Sequence, residues 1–447
     1  MKKKKKKIPK PLRKRTNRAI RRAQIRSFML LLVIGFVISW LIPLRPVRSE
    51  SEKRDLTPFP TLTWKALYSG SFFDGINMWF SDTFPFREAM VTVNGKIKSL
   101  YGYGNRLYGL TDQKADEIPQ EEHTPVMEPI TNLEEIDETL GEAINADNAV
   151  VQDLGTLIVV DDAAYEVYNF SQKVADTYAG IINQAASSLD GVAQVYDLIV
   201  PTSIDITMPD NERVKCNSSS QAEAIRYIFS RMTPQVHSVN VYNILRNHRT
   251  EYIYFRTDHH WTARGAFYAY AQFCRSMQVQ PKALSTFKEH VFEGFKGSFV
   301  AESHKNANLV NHPDTVYAYE PNAETTLVYT EKNGNTVNWS VIGDVTDWYA
   351  SSKYSAFIGG DHPYTIIKNP DAPQDKKCIL VKESFGNALA PFIAAEFGEV
   401  HVIDYRYWHG SIVAFSKEHG VDTVLFVNNI SATRNSSLMK SLYAVTQ

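Results

Sequence analysis

The sequence predicts an α/β fold: a parallel sheet flanked by helices, with a β-rich insertion, preceded by one transmembrane helix. Three observations predict it. From about residue 149, short apolar runs alternate with amphipathic stretches of helical spacing. Residues 310–370 break that rhythm and carry Asn333-Gly334, a tight-hairpin signal. Residues 27–44 form a charge-free apolar run behind a block of positive charge.

Residues 1–26 hold 14 Lys and Arg and no acidic residue, in a chain of 447 residues with a formal net charge of −1. The remainder therefore has 34 basic against 49 acidic residues. An acidic body argues against nucleic-acid binding, and the basic tail is explained by its neighbour. The 18 apolar residues at 27–44 would span roughly 27 Å as a helix, close to the thickness of a bilayer core. The positive charges before them place residues 1–26 in the cytoplasm and the body outside. No small-residue cleavage site follows Leu44; Arg45-Pro46-Val47-Arg48 comes next, so an uncleaved anchor is expected.

Residues 45–110 read as a proline-containing stem and an aromatic-rich segment, with Trp64, Phe72, Phe73, Trp79 and Phe80 and helical spacing between Ala89 and Leu100. Residues 111–148 are acidic and read as a mobile linker or long loop. Residues 149–447 form the main domain. Leu157-Ile158-Val159-Val160 reads as its first strand, 171–189 as a helix, 192–200 as a strand and 221–232 as a helix. The insertion at about 310–370 is expected to roof the site; Trp339, Trp348, Tyr349 and Tyr354 either stack on sugar rings or, the commoner fate, serve the insertion's own small core. Cys378-Ile379-Leu380-Val381 restarts the α/β rhythm. A helix follows at 388–397, with Pro391 tolerable only near its first turn. A strand at 400–403, a helix at 411–418 and a strand at 424–427 complete it. Cys216, Cys274 and Cys378 lack metal-ligand spacing and read as free thiols.

The chemistry centres on Thr257-Asp258-His259-His260-Trp261-Thr262. It follows the strand-like Tyr252-Ile253-Tyr254-Phe255 and precedes a helical pattern that Thr262 would cap. On an extended strand Asp258 and His260 share one side and His259 faces the other, so His259 is expected to serve stability. A carboxylate beside an imidazole suits a general base; a core histidine beside a turn aspartate is the other reading. A zinc site is disfavoured, because the adjacent histidines would diverge and no third ligand stands at helical spacing. No Gly-rich phosphate loop is present, and no cofactor is expected. Ligands of parallel α/β sheets lie beyond strand carboxyl ends. Ser384, then Asp404 and Arg406, then Asn428 and Asn429 stand at three such ends. Ser384 is either a nucleophile or a helix cap. The amides of Gly359 and Gly360, those after Ser384, and the Asn387 side chain are candidate oxyanion donors.

Asp258-His259-His260-Trp261-Thr262, with Ser384 in Lys382-Glu383-Ser384-Phe385-Gly386-Asn387, resembles the bacterial DHHW protein family. That family is similar to the SGNH-like proteins that O-acetylate alginate outside the cytoplasmic membrane. The resemblance covers roughly residues 155–447 and departs at Glu383, which stands in place of the usual Asp. It implies an SGNH-hydrolase-like domain and a membrane-anchored O-acetyltransferase of the cell envelope. Asp258, His260 and Ser384 would be its triad, and a cell-envelope or exported polysaccharide its substrate. It also implies a multispanning membrane acyltransferase as acetyl donor. Arg406 and Asn428 join Gly359, Gly360 and Asn387 as substrate or oxyanion candidates. A carbohydrate acetyl esterase with the same triad and a non-catalytic polysaccharide-binding or assembly protein are the rival readings. Glu383 bears on the choice. Against the serine it would oppose charge building in the transition state; paired with Lys382 or Arg406 it would be harmless.

Overall fold

The structure, a computed structural model, describes residues 26–27, 29–30, 48–49, 54–55, 58–64, 67, 71–84, 109, 114–119 and 135–447. The chain divides into two compact units, Met1–Lys98 and Ser99–Gln447. Most of the expected membrane helix at 27–44 lies outside the described residues, as do the tail at 1–25 and the helical pattern from Ala89 to Leu100. Among the described residues no helix is long and apolar enough to cross a membrane. In the first unit, helix α1 (Ser71–Asp82) buries Trp79, whose ring meets Phe59 edge-on at 4.9 Å.

In the second unit, strands β1 (Val151–Asp153), β2 (Leu157–Val160) and β3 (Ala163–Glu166) form a small antiparallel sheet of their own. This corrects the reading of Leu157 to Val160 as the first parallel strand. Two residues, Asp161 and Asp162, separate β2 from β3, and Asp161 takes a φ of 51°. A connection that short allows only an antiparallel partner, whereas a parallel one needs a crossover.

Helix α2 (Gln172–Ser188) follows and buries Val174, Tyr178, Ile181, Ile182 and Ala185, one stripe at helical spacing. Then come β4 (Gln194–Val200), α3 (Gln221–Ser230, capped by the Ser220 side chain), β5 (Val236–Ser238) and α4 (Ala263–Ser276). A ribbon of β6 (Lys288–Phe295) and β7 (Asp314–Glu320) pairs only with itself. Strands β8 (Thr326–Thr330), β9 (Thr336–Trp339), β10 (Tyr364–Lys368), β11 (Lys377–Lys382), β12 (Glu399–Asp404) and β13 (Thr423–Asn429) join β4 and β5 in one mixed sheet. Its order is β9-β8-β10-β12-β11-β13-β4-β5. The five strands from β12 to β5 run parallel, and β10, β8 and β9 extend them antiparallel. The insertion is therefore chiefly the edge of the sheet. Only its loop between β9 and β10 reaches over the site.

Helices α5 (Gly386–Ile393), α6 (Ile412–His419) and α7 (Ser436–Val445) complete the unit. Pro391 is the sixth residue of α5 rather than a first-turn residue, and the helix ends two residues later, as expected once a backbone donor is missing. Strand β11 is fully buried at Cys378, Ile379, Leu380 and Val381, each contributing roughly 1.5–3 kcal/mol if its side chain is apolar. The chain leaves β11 through α5 to β12, then crosses back through α6 to β13 on the other side of β11. The carboxyl end of β11 is thus where strand order reverses, the position at which α/β sheets hold ligands. All three cysteines are free and buried.

Residues 135–148 contain no helix or strand, yet they are fixed. Arg246 donates to the carbonyls of Glu138 and Leu140, and Ile136 lies in the main core. Of the two expectations, mobile linker or long loop, these residues form a loop, bound to the domain. The carbonyls of Glu138 and Leu140 are thus satisfied by a buried arginine.

Candidate functional site

Residues 252–255 are not a strand. Among the described residues, the segment's one ladder contact is an isolated bridge between Tyr254 and Trp261, and residues 253–262 form a tight buried loop. Three contacts hold it. Thr262 N–H donates to the Ile253 carbonyl at 2.9 Å. Thr257 gives both its N–H and its hydroxyl to the buried Asp314 carboxylate, at 2.7 and 2.6 Å. The Trp261 indole donates to the Phe385 carbonyl at 3.0 Å, tying this loop to the one after β11. Thr262 caps α4 as expected, accepting from Gly265 N–H.

The loop brings three groups together. His260 Nδ1 lies 2.5 Å from Asp258 Oδ1, and His260 Nε2 lies 2.8 Å from Ser384 Oγ. All three residues are buried. Asp258 Oδ2 accepts from Ser298 N–H at 2.8 Å. Burial pushes the Asp258 carboxyl up. His260, His259 and these hydrogen bonds outweigh it and hold the group well below the usual carboxylate range. Asp258 is therefore ionised, which makes His260 Nδ1 the protonated nitrogen and leaves the Nε2 lone pair for the serine hydroxyl. Tyr354 stacks on the His260 ring at 4.0 Å, and its hydroxyl donates to the Ser384 carbonyl at 3.0 Å.

Ser384 is not a helix cap: residue 385 occupies that position, and no side chain caps α5. Gly386 lets α5 start directly over Lys382, since a Cβ there would lie 2.4 Å from the lysine Cβ. Glu383 lies against the serine. Its Oε2 lies 3.2 Å from Ser384 Oγ and accepts from Phe385 N–H at 3.3 Å, and its Oε1 accepts from Asn429 N–H at 3.0 Å. Burial pushes this carboxyl up, with Arg406 pulling the other way. Lys382 pairs instead with Asp404 at 2.8 Å and Asp361 at 3.0 Å, and Arg406 with the same two aspartates at 2.6 and 2.9 Å.

The expected oxyanion donors are largely engaged elsewhere. Gly360 N–H donates to the Phe357 carbonyl, and Phe385 N–H to Glu383. Gly386 and Asn387 N–H donate to the carbonyls of Glu383 and Ser384. Gly359 sits in the same turn as Gly360, packed near Tyr329, Trp339 and His362. The Asn387 amide donates to Asp361 at 2.9 Å. Asn428 is wholly buried and accepts from Tyr405 at 2.7 Å, so it is out of a substrate's reach. Arg406 is committed to its two aspartates. Sequence spacing found the strand ends but not how these polar groups pair with one another. Among the described residues, Ser384 N–H makes no hydrogen bond and stands at the serine itself.

His259 does not face away. Its ring lies 3.9 Å from the His260 ring, and its Nδ1 is 2.9 Å from Ser298 Oγ. The strand on which the alternation argument rested does not exist, and it is the loop that sets His260 between Asp258 and Ser384. Asp258, His259 and His260 offer ligand atoms within 4.8 Å of one another. The Asp258 and His260 atoms nearest each other are already bonded together, so a cation there would have to break that pair. Sequence reading missed Ser298, Gly297 and Asp314. They lie 39 or more positions from Asp258 in the chain.

A family model described as DHHW protein matches residues 52–126 and 125–403, a span that includes both Asp258-His259-His260-Trp261 and Ser384. No curated protein matches the chain. Among solved structures, a DHHW family protein of Eubacterium siraeum DSM 15702 is 29% identical with a TM-score of 0.61, over 67% of this chain and 97% of that one. PatB1 of Bacillus cereus, solved with a sulfonyl adduct, is 16% identical with a TM-score of 0.52, over 68% and 100%. The O-acetyltransferase domain of Pseudomonas putida AlgJ is 12% identical with a TM-score of 0.38, over 66% and 99%.

Proposed function

This chain belongs to the DHHW protein family, and from that footing we propose that it is an O-acetyltransferase of SGNH-like type that works through an acetyl-Ser384 intermediate. The observation that carries the reading is the continuous chain from Asp258 through His260 to Ser384 Oγ, with links of 2.5 and 2.8 Å. His260 Nε2 takes the hydroxyl proton as Oγ attacks the acetyl carbonyl carbon. Asp258 holds the tautomer and stabilises the imidazolium that forms. Tyr354 fixes the ring plane. The developing oxyanion is received by Ser384 N–H at the start of α5, where the helix dipole also favours negative charge. Phe385 N–H joins it when Glu383 gives way or takes a proton, which the raised Glu383 carboxyl favours. The proton then passes to the leaving group of the donor.

In the second half, a hydroxyl of a cell-envelope or exported polysaccharide attacks the acetyl-serine. The donor is a multispanning membrane acyltransferase, and the body lies outside the membrane behind the apolar run at 27–44. These assignments rest on the family resemblance and on the 14 positive charges before that run. Two experiments test them. Incubation of the protein with an activated acetyl ester should place one acetyl group on Ser384, seen by mass spectrometry and lost in Ser384→Ala and His260→Ala. Label on another residue, or none on a folded protein, removes the acyl-serine reading. Protease added to intact cells should digest the body and spare residues 1–26; a protected body removes the localisation and the polysaccharide together.

A further inference from the structure

Beside the nucleophile lies a cleft of about 650 Å³ that no part of the Asp258–His260–Ser384 chain enters. His259 and Phe385 line its inner end, and Ser171, Thr202, Asn429 and Ser436 line it farther out. Hydroxyls and amides dominate these walls, and the ionised groups on it carry both signs, Lys114 and Arg434 against Glu166. The surface suits a neutral, hydroxyl-rich ligand laid against an aromatic ring more than a strongly charged one.

His259 is the imidazole at the inner end. Its Nδ1 is engaged by Ser298 Oγ at 2.9 Å. With Nδ1 so held, Nε2 is the ring nitrogen left for a ligand. Nε2 makes no hydrogen bond among the described residues, and the side chain is 34% exposed, against 8% for His260. The two imidazoles are thus set alike. Each is held at Nδ1 by a neighbouring oxygen; His260 meets Ser384 through Nε2, and His259 lines the cleft.

We infer that this cleft is the subsite for the sugar acceptor and that His259 Nε2 hydrogen-bonds a ring hydroxyl next to the reacting one. The inference rests on the acyl-serine reading and deepens it. The reacting hydroxyl gives its proton to His260 Nε2 as its oxygen bonds to the acetyl carbon. The bond from that carbon to Ser384 Oγ then breaks, and the proton returns to Oγ. His259 takes no proton; it aligns the sugar so that one hydroxyl of the ring faces the ester. Burial and the neighbouring His260 lower its proton affinity. His259, expected from the sequence to serve stability, here selects the acceptor.

The test uses the full chain and competing acceptors. Acetyl-enzyme formed from 4-nitrophenyl acetate is offered methanol and a pool of neutral hexose and N-acetylhexosamine oligomers at equal concentration. Methanol reaches any open ester without recognition. Wild-type protein should transfer to the oligomers at least tenfold more than to methanol, and His259→Gln should bring that preference to near one. Ser298→Ala, which deletes the hydroxyl but keeps the N–H that holds Asp258, should reduce it in the same direction. Both products come from one acetyl-enzyme, so a smaller folded fraction leaves their ratio unmoved. No preference in wild type, or a preference that survives His259→Gln, overturns the inference while acetyl-Ser384 stands. Absence of acetyl-Ser384 overturns the acyl-serine reading and the subsite with it.

Discussion

Gly297 offers the sharpest test of how Asp258 acts, because it is 39 residues from the motif and carries no chemistry. Its backbone is extended, with φ −75° and ψ −169°, so alanine fits without torsional strain. The space does not fit. A Cβ at Gly297 would lie 2.1 Å from Asp258 Cβ, 2.4 Å from Oδ2 and 2.6 Å from Cγ. Carbon atoms rest at about 3.5–4.0 Å, so the carboxylate must retreat by about 1.5 Å. The 2.5 Å contact to His260 Nδ1 would then open beyond hydrogen-bonding range. A misplacement near 1 Å costs about 10²-fold in rate. Full loss of the orienting carboxylate costs about 10⁴-fold in a serine protease triad. Gly297→Ala should therefore slow acetylation of Ser384 by about 10² to 10⁴, while overpacking costs about 1–3 kcal/mol of stability. Single-turnover acetylation followed by intact mass, with near-UV circular dichroism for the fold, measures both. A folded variant that keeps a third or more of the wild-type rate would refute the role given to Asp258 or its close packing on Gly297.

Three further outcomes are expected. Gly180→Ala, on the exposed side of α2 with open space for a Cβ, should raise the unfolding free energy by about 0.5–1 kcal/mol, read from urea midpoints. Lys382→Met leaves the fully buried Asp404 with Arg406 alone and should cost on the order of 3 kcal/mol, read by thermal unfolding; a neutral result would mean that Arg406 suffices. His401 is pushed down to about 4, chiefly by burial, with Glu399 opposing. Below its ordinary value near about 6.5 the unfolded chain binds a proton that the folded chain refuses. Stability should therefore fall as the pH drops from about 6.5 to about 4, by on the order of 3 kcal/mol. Urea unfolding at pH 7 and pH 4.5 should show a smaller pH difference in His401→Gln; an equal difference would refute the assignment.

The sequence by itself determined whatever depends on near neighbours. Periodicity placed α2, α3, β4, β11, β12 and β13 within a few residues, because one buried face imposes its own spacing. The Asn333-Gly334 signal gave the hairpin from Thr330 to Thr336. Asp258, His260 and Ser384 were legible because their motifs are short and the end of β11 is where the strand order reverses. Which strands pair was decided only in three dimensions. Leu157 to Val160 has the composition of a parallel core strand, and a two-residue turn sent it to a separate sheet. The loop at 253–262 imitates a strand in sequence. It is held by Asp314 and by the Phe385 carbonyl, partners 57 and 124 residues away. The fates of Glu383, Asn387, Arg406 and Asn428 followed the same rule. A polar side chain at a strand end must satisfy its hydrogen bonds once buried, and its partner is set by which distant segments pack there, not by its own neighbours in the chain.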